Sequence, residues 1–139
     1  RNNIDNYAKL FETLNLDNLN KFDDLLDKNI YFEDPFNKVY GIENFKRIFS
    51  NTLKKLDNVE FKVLSIISKN NIYIIKWEMI FFAFNKNNSI FGLSEVTVSK
   101  NKKIISHVDY WDSYNQFYIK IPVIGLIFKF VLNLVRKQI

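Results

Sequence analysis

Lys103-Ile104-Ile105-Ser106-His107-Val108-Asp109-Tyr110-Trp111-Asp112-Ser113 alternates with a period of two, the signature of a strand. Successive strand side chains point to opposite faces, so His107, Asp109 and Trp111 share one face while Val108, Tyr110 and Asp112 share the other. A carboxylate and an imidazole beside an indole on one sheet face are expected to form a pocket wall. The same period runs back through residues 59–68, 72–84 and 89–99. The linkers Lys69-Asn70-Asn71, Asn85-Lys86-Asn87-Asn88 and Lys100-Asn101-Lys102 are rich in turn formers, which predicts hairpins and an antiparallel meander.

Upstream the period changes. Ile4, Tyr7, Ala8, Phe11, Leu14 and Leu16 recur at helical spacing, predicting an amphipathic first helix over 4–16. Asp17 is placed to cap a second helix whose stripe is Leu19, Phe22, Leu25 and Leu26. Ile30, Tyr31 and Phe32 read as a short strand that stops at Asp34-Pro35, since proline lacks the ladder donor. Gly41 opens a third helix in which Ile42, Phe45, Ile48, Phe49, Thr52, Leu53 and Leu56 recur at three and four. The expected layout is α+β: three N-terminal helices packed on a curved, mainly antiparallel sheet, in a domain spanning 1–116.

Residues 117–139 stand apart. From Pro122 the chain is apolar almost all round except Lys129 and Asn133, for about fifteen residues against the roughly twenty that a spanning helix needs. The expectation is a hydrophobic C-terminal helix packing on the domain or on a partner subunit. An interfacial membrane helix making weak contact is the rival reading.

Composition narrows the function. With 139 residues, 47% of them hydrophobic, one core is expected. Fourteen Phe exceed what a small core needs, and a lined cavity would use the surplus. The net charge of +5 comes mostly from scattered Lys, with no basic cluster interleaved with aromatics, so no nucleic-acid partner is expected. The absence of Cys rules out disulfides and thiolate chemistry, and a single His leaves no His-rich metal site. No metal or cofactor is expected, and no segment reads as a signal peptide, which makes a cytoplasmic location the expectation.

Phe32-Glu33-Asp34-Pro35, Gly41 with Phe45-Lys46-Arg47-Ile48-Phe49, Trp77-Glu78-Met79, and Lys103-Ile104 leading to Tyr110-Trp111 together resemble the nuclear-transport-factor-2-like superfamily. This cone-shaped fold is shared by ketosteroid isomerase and the SnoaL-like polyketide cyclases. The resemblance extends to Tyr114 and leaves out the tail. It implies that Asp34 occupies the general-base position of the isomerase. The isomerase's oxyanion-hole positions fall near Leu10 and at Ser94, and without those donors an enolate lacks its main stabilisation, so steroid isomerisation is not expected. Asp109 resembles the acid that SnoaL-like cyclases carry on the late strand.

The catalytic candidates are therefore Asp34, His107 and Asp109, and the ligand-binding candidates are Trp77, Met79, Ser94 and Trp111. Two acids and one imidazole can divide the roles of base, acid and orienter in isomerisation, cyclisation, dehydration or epoxide opening of a small apolar molecule. The competing reading is a non-catalytic ligand-binding or dimerisation module, with Asp34 a turn former before proline and His107 a core residue. Glu78 and Glu95 alternate away from the pocket, onto a sheet face that the resemblance makes a homodimer interface.

Overall fold

The alternating half of the chain forms one antiparallel run. In the computed structural model, which describes residues 3–117, 121 and 124–136, β3 (Asp57–Lys69), β4 (Ile72–Ala83), β5 (Lys86–Val98) and β6 (Ile104–Tyr110) follow each other as a meander. β1 (Leu26–Glu33) pairs parallel with β6 on one side and antiparallel with β2 (Lys38–Tyr40) on the other. The order of the six strands is β2-β1-β6-β5-β4-β3. Leu64 is an extra residue between the register pairs of Val63 and Ser65, and such a bulge bends the strand and deepens the sheet's curvature.

The helices pack on the concave face: α1 (Asn3–Glu12), a 3-10 helix (Leu19–Asp24) and α2 (Ile42–Lys55). Tyr7, Phe22, Phe32, Phe45, Ile30, Ile104 and Val96 are the most deeply buried side chains, and they join both layers in one core. Aromatic edges interlock there, with ring centroids 5.0 Å apart for Phe22–Phe45 and Phe45–Phe49. Lys46 ties α2 to the 3-10 helix, its ammonium 2.8 Å from Asp23 and 3.1 Å from Glu43. Gly41 precedes α2 with φ +91°, a conformation that costs other residues strain, while its amide donates to Ile30 O at 2.8 Å.

Several boundaries differ from expectation. α1 stops at Glu12 because polar side chains capture the next backbone groups: Asn18 Oδ1 accepts from Asn15 N, and Asn15 Oδ1 accepts from Asp17 N. The second helix is a 3-10 helix preceded by Asn18 rather than capped by Asp17, and Leu26 already belongs to β1. β2 carries only three residues, too few for a periodic signal. The β4–β5 turn lies at Phe84 and Asn85, both with positive φ, rather than over 85–88, and β5 begins three residues before the expected Ser89. Asn88 is buried in β5 and donates to Ala83 O and Lys86 O, which fixes that register. Asp112 caps the short α3 (Ser113–Gln116) by accepting from Asn115 N. The tail forms α4 (Ile124–Arg136), while Pro122 and Val123 lie outside the described residues.

Candidate functional site

A cavity of about 570 Å³ opens between α1, α2 and the concave face of the sheet. Alternation on each strand supplies its wall: Phe61 and Val63 from β3, Ile75, Trp77, Met79 and Phe81 from β4, Ile90 and Ser94 from β5, His107 and Asp109 from β6. Trp111 and Asp34 line it just beyond β6 and β1. All seven residues singled out in the sequence thus face one space. Glu78 and Glu95 do not line it.

A chain of hydrogen bonds crosses the wall. Ser94 and Asp109 are direct partners across β5 and β6, and the Ser94 hydroxyl donates to Asp109 Oδ1. Trp77 Nε1 donates to Ser94 Oγ at 2.8 Å. His107, two residues before Asp109 on the same strand face, places Nε2 2.7 Å from the same Oδ1. Its other nitrogen, Nδ1, lies 2.6 Å from the Tyr7 hydroxyl. Burial holds the Tyr7 phenol well above its usual pKa, and the negative charge of Asp109 adds to the rise. The phenol therefore keeps its proton; with its O–H directed at Nδ1, the imidazole N–H stands at Nε2, facing Asp109 Oδ1.

The two oxygens of Asp109 are thus unequal. Oδ1 accepts two hydrogen bonds, whereas no hydrogen bond from the described residues reaches Oδ2. The side chain is 14% exposed. Gly92, opposite Trp77 in the ladder, makes room for the indole, because a Cβ there would stand 2.6 Å from Cη2.

Asp34 serves the turn and the cavity together. Its Oδ1 accepts from Phe36 N at 2.8 Å and Asn37 N at 2.7 Å, and the Asn37 side-chain amide reaches both oxygens. Burial nevertheless raises its pKa; those hydrogen bonds oppose the rise, and the charge of Asp109 reinforces it. The carboxyl group binds its proton more tightly than a solvated aspartate. Among the described residues no group of three or more His, Cys, Asp and Glu is arranged to hold a metal ion.

Sequence reading missed Tyr7, which lay in a helical stripe otherwise made of apolar residues. The available signal was its hydroxyl, since a buried tyrosine requires a partner for that group. Leu10, the position assigned to the isomerase tyrosine, is packed in the core and does not line the cavity. Ser94 lines it, with its hydroxyl committed to Asp109. Lys55, Asn51 and Phe36 are exposed and mark the rim.

The helices over a curved six-stranded sheet, with this cavity between them, form an NTF2-like fold, the fold seen in ketosteroid isomerase-like and SnoaL-like proteins. The model of the family described as uncharacterized conserved protein (DUF2358) matches residues 4–107, and the chain belongs to that family. A comparison with curated proteins finds no match. Among solved structures, a hypothetical protein with ketosteroid isomerase-like fold from Catenulispora acidiphila, in complex with trimethylamine, aligns at TM-score 0.70 and 13% identity, covering 82% of this chain and 88% of that one. An LEH-like epoxide hydrolase from M. tuberculosis aligns at 0.67 and 13% identity, covering 83% and 84%. A SnoaL-like family protein from Agrobacterium tumefaciens aligns at 0.66 and 15% identity, covering 79% and 94%. At such low identities the superpositions show a common fold and nothing more.

Proposed function

We propose that the chain binds a small apolar molecule in the cavity and moves a proton on it, in the manner of an isomerase, cyclase or dehydratase that needs no metal. One observation carries this reading: a carboxylate in a largely apolar cavity has one oxygen held by Ser94 and His107, while no hydrogen bond from the described residues reaches the other. Asp109 Oδ2 is the base that takes a proton from a carbon next to a carbonyl, the C–H pair forming the carbon–carbon double bond of the enol as the carbonyl π pair passes to its oxygen. Tyr7 and His107 act through Asp109, as positioning residues that fix its orientation. Asp34, with its raised proton affinity, is the acid that supplies a proton to the oxygen or leaving group.

The alternative is a binding module without chemistry, and one observation favours it. Both oxygens of Asp34 are engaged by the turn it builds. Decalone in deuterated water separates the two readings. Accelerated α-proton exchange by the wild type, falling about 100-fold or more in Asp109→Asn, supports catalysis. Quenching of tryptophan fluorescence by decalone without any exchange would leave the binding module.

We also propose that two copies pair through the open sheet face. Leu64, Ile67, Ile72, Phe82, Phe91, Leu93 and Tyr110 are exposed apolar side chains, all from β3 to β6. Lys62 and Glu78 are ladder partners on that face, and Lys76 and Glu95 lie beside them, so a two-fold contact can match cations with carboxylates.

A further inference from the structure

α4 sorts its side chains by character. At 3.6 residues per turn, Leu126, Phe130, Leu134, Ile127, Val131 and Val135 fill one continuous half of the helix, and each is at least 50% exposed. Lys129, Asn133 and Arg136 form a stripe on the other side and are exposed too. Large apolar side chains gathered on one exposed face mark a surface that another apolar phase covers.

The length of the helix and its charge identify that phase. Thirteen residues rise roughly 20 Å, short of the roughly 30 Å of a hydrocarbon core. Among the described residues no helix is long and apolar enough to cross a membrane. A helix of this length, apolar over most of its circumference with a narrow cationic stripe, has its lowest free energy lying flat at a lipid boundary. There the apolar half enters the acyl region while Lys129 and Arg136 extend to the headgroups. The sequence of α4 contains no carboxylate, so its polar stripe carries positive charge alone, which anionic headgroups neutralise. The net charge of +5 has the same sign.

We propose that α4 docks the protein on an anionic lipid surface, in the plane of the interface. This does not depend on the chemistry assigned to the cavity.

Flotation of the full chain with vesicles tests it, using equimolar phosphatidylcholine and phosphatidylglycerol against phosphatidylcholine alone. The protein is expected to float with the anionic vesicles, more weakly as salt is raised. Lys129→Glu combined with Arg136→Glu is expected to weaken binding by about thirty-fold or more, given the contribution of each basic residue near such a surface. Phe130→Asp, at an exposed position that the fold does not need, is expected to abolish it. Failure of the wild type to float, or equal binding by the charge-reversed variant, would overturn the proposal. So would Phe130→Asp dissociating a dimer that ignores vesicles, since a second copy would then be the occupant.

Discussion

Burial acts in the same direction on Tyr7 and Asp34, and both consequences can be measured. Tyr7 keeps its proton, and its O–H directed at Nδ1 is expected to leave the imidazole N–H at Nε2. The chain has one His, which makes the nitrogen NMR spectrum of a labelled sample unambiguous at mildly alkaline pH. Tyr7→Phe deletes the donor and leaves a buried Nδ1 unpaired, at an expected cost of about 1–3 kcal/mol in urea unfolding. An unchanged midpoint would show that the hydrogen bond contributes nothing. Asp34 has a folded pKa raised above 3.8, so the folded state holds the proton more tightly than the unfolded chain. The stability linked to that proton is complete below pH 3.8 and declines as pH rises through the folded pKa. Melting curves should therefore show the wild type losing ground to Asp34→Asn as pH rises from acid to neutral. The opposite trend would mean that the turn amides hold the carboxylate ionised. At this scale His107 and Asp109 were legible because an imidazole and an acid are conspicuous on a strand face, and Asp34 because it stands in the Glu-Asp-Pro motif that carries the resemblance. Tyr7 was not, because the stripe pattern treats it as one more apolar residue.

Among the elements, the strands were legible and their turns less so. Alternation located β3 to β6 because one face packs on the core and a one-residue slip would invert every side chain. The β4–β5 turn was misplaced because four polar residues, 85–88, look like a linker, while Asn88 is in fact buried and satisfied within β5. The turn falls instead on Phe84 and Asn85, with φ of 53° and 59°. A phenylalanine in left-handed backbone is strained, whereas asparagine tolerates that region. Phe84→Asn is expected to stabilise the protein by about 1 kcal/mol, read from urea denaturation. A loss of stability would show that the contact of Phe84 with Phe117, at a 6.4 Å centroid distance, outweighs the strain.

For the whole molecule, the apolar open sheet face predicts association. The wild type is expected to run as a dimer in light scattering, and Phe91→Glu with Leu93→Glu is expected to yield a monomer, since the new charges would oppose their own copies and the nearby Glu78 and Glu95. A monomeric wild type, or a double variant that remains dimeric, would sink the sheet-face dimer. What the sequence determined by itself was the α+β class, the meander and the face on which His107, Asp109 and Trp111 stand, because periodicity is a local property fixed by backbone geometry. Only the tertiary structure decided that β1 lies parallel to β6, that Tyr7 reaches His107 and that Ser94 and His107 share one oxygen of Asp109. Those contacts join residues up to 100 positions apart. They are set by the packing of helices on a curved sheet, which no window along the chain contains.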